Sequence, residues 1–212
     1  MKAGWQRFEM ARAFKPEDLL GCLEAAGKFV SFRKRDVIYS AGEKSDSIFL
    51  IRSGSIKMVV VSAEGNEAIT AVLDVGEVFG TEALGAPAVP RAAHAVALTE
   101  LRLVKLAPDL LLKVILSDPA ICTLFISDLT RRIMSSQDDL ASALLDNSEQ
   151  RLARALSSMA ELARAQKAPW VPELSQLDLA RMIGTTRQRV NHLMKRFKDK
   201  GLIEDARGNH IG

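Results

Sequence analysis

Between Met182 and Phe197 the chain reads MIGTTRQRVNHLMKRF, a Gly-Thr-Thr turn followed by a helix that is basic along one side. Arginine and lysine neutralise phosphates, while Arg, Gln, Asn and His side chains also hydrogen-bond the edges of bases. The residue types therefore suit a polyanion. Upstream, LSQLDLARMIG supplies a preceding helix, and four positions carry the pairing of the two. Ala180 is small where the helices approach, Gly184 is able to take the turn conformation, and Val190 and Leu193 are apolar and hold the second helix to the first. This is the pattern of a helix-turn-helix.

With Val190 and Leu193 turned inward, Arg187, Gln188, Asn191 and His192 lie on the outer surface, where the N-terminal part of the second helix enters a DNA major groove. They are the candidate base contacts, and a bidentate pairing of Arg187 with guanine is worth about 1–3 kcal/mol of discrimination. Ser175, Gln176, Thr185, Thr186, Arg189 and Lys195 are candidate phosphate contacts, which give affinity without sequence information. Ser175 and Asp178 form an S-x-x-D start signal for the first helix. Either Thr185 or Thr186 can cap the second, and Thr185 with Gln188 has capping-box spacing. LIE and HIG around DARGN read as a closing hairpin, a wing with Arg207 near its tip and within reach of a further phosphate.

The charge distribution agrees. A net charge of +3 over 212 residues conceals 17 Lys+Arg against 20 Asp+Glu in residues 1–150, and 12 against 6 in residues 151–212. The basic excess is C-terminal, where it can meet nucleic acid. The bland alternative, a solvated basic helix that binds nothing, explains neither the turn chemistry nor this asymmetry.

Other elements must position that motif. From Val30 to Leu106 short β-type runs alternate with turn signals, which predicts a small antiparallel roll or barrel; PEDLLGCLEAAGKF ahead of it reads as a short helix with Pro16 in its first turn. Past Pro108 a helical segment reaches about Asp146, with Pro119 interrupting it near its start. Cys122, Ile126, Leu129, Ile133, Leu140 and Ala143, with Ser136 as one polar member, form a seam of 3-4 spacing. That spacing predicts a parallel helix pair and hence a homodimer, the alternative being a helix packed only on its own roll. SEQRLARALSSMAELARAQK follows, with Leu152, Leu156, Met159 and Leu162 on one face. The expected organisation is a β-roll sensor domain with a helical preface at 1–107, a dimerisation helix at 108–146 and a winged helix-turn-helix at 147–212, an α+β fold.

Several function classes are poorly supported. Two cysteines, Cys22 and Cys122, with no CxxC, indicate neither a disulfide framework nor an iron-sulfur or zinc site. Of three histidines only His94 falls in the β region, where it reads as an ordinary strand residue, so no metal site is expected. No nucleophile elbow, P-loop or carboxylate pair occurs, and no enzymatic activity is expected. The apolar runs are too short to span a bilayer and the N-terminal stretch lacks the apolar core of a signal peptide, so a cytoplasmic protein without membrane contact is expected.

A β-roll, a long dimerising helix and a C-terminal winged helix in this order resemble the cAMP receptor protein/FNR (Crp/Fnr) family of bacterial transcription regulators. The resemblance is most specific in GTTRQRV, in SEQRLARAL and in LDVGEVFGTEALGAPAVPRAAHAVAL, which is similar to the family's phosphate-binding cassette. It implies a palindromic DNA operator, RNA polymerase as a partner, and an anionic effector such as cAMP or a cyclic dinucleotide. By resemblance Gly80 holds the close-approach position of the cassette and Arg91 is the arginine whose fork matches a phosphate. Thr81 stands where cAMP-binding members have a glutamate, with Glu82 displaced by one residue, and Ala92 replaces their serine. Ser136 and Gln137 align with the pair that reaches the adenine. Each lost polar contact is worth on the order of 0.5–3 kcal/mol, so the sequence supports an anion pocket better than it supports cAMP, and a constitutive regulator with a degenerate pocket is the alternative. Gln188 and His192 also differ from the cAMP-binding members, and glutamine favours adenine, which implies a shifted half-site beside the guanine of Arg187.

Overall fold

The computed structural model describes residues 21, 23, 27–85, 89–165 and 174–203. Eight strands come first: β1 (Lys28–Phe32), β2 (Val37–Tyr39), β3 (Ile48–Ser53), β4 (Ile56–Val61), β5 (Glu67–Leu73), β6 (Val78–Phe79), β7 (His94–Ala97) and β8 (Leu101–Leu106), with a 3-10 turn at Thr81–Leu84. They form two antiparallel sheets, ordered β1-β8-β3-β6 and β2-β7-β4-β5. Tyr39, Phe49, Ile51, Ile56, Phe79, Ala95, Ala97, Leu101 and Leu103 fill the space between the sheets.

The IFLI run of β3 is buried at every residue because the sheet is covered on both faces. Phe49 and Ile51 point to the inter-sheet core, whereas Ile48 and Leu50 join Leu23, Ala83, Val104, Leu106, Leu111 and Ile115 in a second cluster under the helices that follow. Period-two alternation sends β3, β6 and β8 to both cores at once. Of the expected helical preface, Gly21 and Leu23 are helical and Leu23 is buried, whereas its last residues, Lys28 and Phe29, already belong to β1, paired with Lys105 and Val104 of β8; Pro16 and Cys22 lie outside the described residues.

Helix α1 (Pro108–Ser117) and helix α2 (Pro119–Leu145) meet at a bend of 118°. The break sits at Asp118, extended at φ −143° and ψ 123°, whose carboxylate accepts from Ala120 N at 2.7 Å and so caps α2. Pro119 thus begins the long helix, a position that needs no N–H. At 27 residues α2 is about 40 Å long. Among the described residues no single helix is long and apolar enough to cross a membrane.

Helix α3 (Ser148–Ala165), helix α4 (Gln176–Ile183) and helix α5 (Arg187–Asp199) build the C-terminal unit. Its core is Leu152, Ala155 and Met159 of α3, Leu179, Ala180 and Ile183 of α4, and Val190, Leu193 and Phe197 of α5. The expected wing, including Arg207, lies outside the described residues.

Candidate functional site

Two groups of side chains stand out, one in the β-roll and one on α4 and α5. The first is centred on Arg91, which lies just before β7 and is 3% exposed. Its backbone is clamped on both sides: Arg91 N donates to Glu43 O at 2.8 Å, and Gly42 N donates to Arg91 O at 2.9 Å. Nη2 donates to Ser47 O at 2.5 Å and to Ser47 Oγ at 3.3 Å. Nη1 donates to Gly80 O and to Glu82 Oε1, both at 3.2 Å. The guanidinium carbon lies 4.1 Å from the centre of the Tyr39 ring, a stacked cation-π contact. Nε, also buried, has no hydrogen-bond partner among the described residues.

Gly80 is fixed by the same cluster. Its φ is 76°, and a Cβ there would stand 2.7 Å from Arg91 Nη1 and 3.1 Å from Ser47 O. The glycine is needed because the guanidinium lies where a side chain would be. Burial, then the Glu82 charge, pushes the Tyr39 phenol up, with Arg91 pulling the other way.

The structure joins Gly80, Glu82 and Arg91 in one cluster. Thr81 opens the 3-10 turn beside them, and Ala92 is exposed next to the arginine. Ser136 and Gln137 lie on α2, lining a shallow groove of about 450 Å³ with Leu129, Arg132, Ile133 and Leu140. Ser136 Oγ donates to Arg132 O at 2.9 Å, so its hydroxyl is used within its own helix. The fork of Arg91, which by resemblance matches a phosphate, has its terminal nitrogens engaged inside the chain. Glu82, the carboxylate displaced by one residue from the position of Thr81, is its counter-ion.

In the second group, Ser175 caps α4 through a full capping box: Ser175 Oγ accepts from Asp178 N at 3.1 Å, and Ser175 N donates to Asp178 Oδ2 at 3.2 Å. Gly184 closes that helix at φ 63°, and Thr185 N donates back to Ala180 O at 2.9 Å. Thr185 is therefore spent on the end of α4. The cap of α5 falls to Thr186, whose Oγ1 accepts from Arg189 N at 3.2 Å, and the expected pairing of Thr185 with Gln188 is corrected by one residue. Arg187, Gln188, Asn191, His192 and Lys195 are all exposed. Gln176 Nε2 donates to Asn191 Oδ1 at 3.2 Å, tying one candidate phosphate contact to one candidate base contact. Arg189 Nε donates to Ser148 Oγ at 3.3 Å and so leans towards α3.

Residues 29–118 match the model of the cyclic nucleotide-binding domain, and residues 150–212 match the Crp-like helix-turn-helix domain. The chain belongs to the Crp/Fnr family. The CRP-like cAMP-activated global transcriptional regulator of Mycobacterium tuberculosis is 26% identical over 177 residues, 82% of this chain and 79% of the relative. Electron transport regulator A of Shewanella oneidensis is 27% identical over 182 residues, 84% and 72% of the two chains. Among solved structures, the c-di-GMP responsive regulator CLP of Xanthomonas campestris superposes with a TM-score of 0.73 at 18% identity, covering 92% of this chain and 97% of that one. FixK2 of Bradyrhizobium japonicum gives 0.72 at 18% identity, covering 87% and 91%. This Crp/Fnr protein is a DNA-binding transcription regulator.

Sequence reasoning missed three residues of this Crp/Fnr chain. Ser47 and Tyr39 complete the arginine cluster, but Ser47 is 44 positions from Arg91 and nothing local marks it. Arg151, within SEQRLARAL, donates from Nε to Ile183 O at 2.8 Å and from Nη1 to Asp146 O at 2.8 Å. It joins the end of α2 to the last carbonyls of α4, groups that a helix leaves unpaired. An arginine inside a family-specific motif was the available signal.

Proposed function

We propose that the protein is a homodimer that reads a palindromic operator with two copies of α5 and is controlled by a small anionic effector, cyclic-nucleotide-like, bound in the β-roll beside α2. The observation that carries this reading is an apolar stripe of α2 left exposed by the described residues. Ile126, Ile133 and Leu140 are 56%, 61% and 60% exposed, although they repeat at seam spacing. A second copy of the helix is the natural cover for such a stripe. Pairing there sets the separation of the two recognition helices, which must meet half-sites one turn, ~34 Å, apart. A small rotation at the seam then alters affinity for DNA.

In this reading Arg187, Gln188, Asn191 and His192 touch bases, and Ser175, Gln176, Thr185, Thr186, Arg189, Lys195 and Arg207 touch phosphates. Gly80, Thr81, Glu82, Arg91 and Ala92 surround the effector's anionic group, and Ser136 and Gln137 face the remainder of the ligand from the dimer helix. The cAMP-activated and c-di-GMP responsive relatives favour a cyclic nucleotide as the effector class. The protein acts in the cytoplasm, with RNA polymerase as a partner at the promoter.

The test is selection of binding sites from random duplex DNA, with sedimentation of the protein and melts in the presence of cyclic mononucleotides and dinucleotides. A dimer that enriches a palindrome, and whose affinity one nucleotide changes, supports the proposal; a monomer, or enrichment of no site, sinks it. A second reading, a constitutive regulator with a degenerate pocket, is favoured by the engagement of both terminal nitrogens of Arg91 within the chain. Arg91→Ala separates the two, since it alters regulation in the first case and only stability in the second.

A further inference from the structure

The anion site of the β-roll is already occupied, and the occupant belongs to the chain. A guanidinium that is 3% exposed requires a counter-charge, because an unpaired buried ion is far costlier than a paired one. Glu82 meets that need, with Oε1 3.2 Å from Arg91 Nη1. The remaining acceptors of the fork are two main-chain carbonyls, Ser47 O and Gly80 O, and the hydroxyl of Ser47.

The four acceptors differ in one respect. Ser47 is 3% exposed and leads directly into β3, and both its carbonyl and that of Gly80 are fixed by the backbone. Arg91 is clamped by its own backbone to Gly42 and Glu43. Only the Glu82 carboxylate sits on a flexible side chain with access to solvent, 25% exposed. It alone is able to leave. Arg91 Nε, buried and without a hydrogen-bond partner among the described residues, is a further donor that Glu82 does not use.

We propose that Glu82 is a built-in competitor for Arg91, so that an anionic ligand enters by exchange, its phosphate oxygens displacing the carboxylate from the arginine. The inference rests on the effector reading above and adds a regulator to that site: Glu82 sets the ligand concentration at which the roll responds. Apparent affinity falls by the fraction of time the arginine is open, so a carboxylate that closes it most of the time makes the site weak without altering the arginine itself. The exchange also has a mechanical outlet. Glu82 lies in the 3-10 turn Thr81–Leu84, whose Ala83 and Leu84 pack in the cluster with Leu111 and Ile115 of α1, the helix that leads into α2.

The experiment compares the full-length wild type with Glu82→Gln and Glu82→Ala, by calorimetric titration and thermal melts against inorganic phosphate, cAMP, cGMP and cyclic di-GMP. Without added anions both variants should melt below wild type, since Arg91 has lost its counter-charge. Phosphate should restore their melting temperature while leaving wild type nearly unmoved, and the effective nucleotide should bind the variants roughly tenfold or more tightly than wild type. Arg91→Ala on the Glu82→Gln background should abolish both effects. A stability loss that no anion restores, or nucleotide binding weakened by Glu82→Gln, overturns the proposal and makes Glu82 a brace or a direct ligand contact. Rescue by inorganic phosphate with no nucleotide binding upholds the exchange and sinks the cyclic-nucleotide reading instead.

Discussion

Lys57 of β4 reaches Asp178 of α4, Nζ to Oδ1 at 2.5 Å, across 121 positions of sequence. Beside it Arg181 of α4 pairs with Glu67 of β5 at 2.8 Å, so the β-roll and the helix-turn-helix each contribute one cation and one anion to the join. Reversed polarity rejects a shifted register, which would set like charges against each other. Asp178 serves twice, since the same carboxylate completes the capping box with Ser175.

That double duty ranks three substitutions. Asp178→Ala removes the return half of the capping box and strands Lys57, whose side chain is 16% exposed, and should cost about 2–4 kcal/mol. Lys57→Met leaves the cap in place and should cost less, about 1–2 kcal/mol. Arg181→Gln breaks a pair exposed by 29% and 39% and should cost under ~1 kcal/mol. Urea unfolding of the three variants checks the order, and equal losses would remove Asp178 from its double role.

The join should also be sensitive to acid. Partial burial raises the Asp178 pKa, but hydrogen bonds from Lys57 and Ser175 and the charge of Lys57 outweigh it, and the net shift is downward. A carboxyl depressed on folding stabilises the native state fully above its unfolded value, ~4, and loses that contribution as pH falls through the lower folded value. Melting temperature measured from about pH 6 down to about pH 2 should therefore fall more steeply for wild type than for Asp178→Asn. Parallel curves would show that the pair carries no such linkage.

On α2, Ile133→Glu places a charge on a side chain that is 61% exposed in the single chain. Folding of the protomer should be little affected, within about 0.5 kcal/mol, because nothing is buried by the change. A helix pair with two carboxylates facing each other at its seam should dissociate, weakening self-association by a factor on the order of 100. Analytical ultracentrifugation decides this, and a dimer of unchanged affinity would move the interface elsewhere.

Operator recognition divides by residue. Arg187→Ala should cost about 1–3 kcal/mol per half-site and relax the preference at one base pair, whereas Lys195→Ala should weaken all sequences alike and reduce the salt slope by about 1 per half-site. Binding titrations over a range of salt, on the selected operator and on single-base variants, distinguish the two behaviours. Identical effects of both substitutions would contradict the assignment of Arg187 to a base.

What was legible in the sequence was whatever depends on neighbours along the chain. Ala180, Gly184, Val190 and Leu193 announced the helix-turn-helix because helix pairing constrains residue size at fixed spacings, and they are found buried or, for Gly184, at φ 63°. Alternation and turn residues revealed the roll in the same way. Which of Thr185 and Thr186 caps α5 stays open in the sequence because the path of the turn decides it: Thr185 N closes the previous helix and Thr186 Oγ1 caps the next. The pairing of Arg91 with Ser47 and the Lys57 to Asp178 join were invisible, since each requires segments 44 and 121 positions apart to be brought together first. The motif named the arginine; only the fold shows which groups already hold it.

Gly80→Ala tests the arginine cluster from its other side. The backbone there has φ 76°, which alanine adopts at a cost of about 1 kcal/mol, and the new Cβ would lie 2.7 Å from Arg91 Nη1. Because Arg91 is clamped at Gly42 and Glu43, its guanidinium must turn away from Gly80 O and Glu82 together. The variant should lose about 2–4 kcal/mol of stability, beyond the backbone cost alone, through polar groups left unpaired in a buried place. In Gly80→Ala combined with Arg91→Ala the clash disappears, so the two losses should sum to less than their separate values. Strict additivity in that double-mutant cycle would mean that the glycine serves the turn and not the arginine.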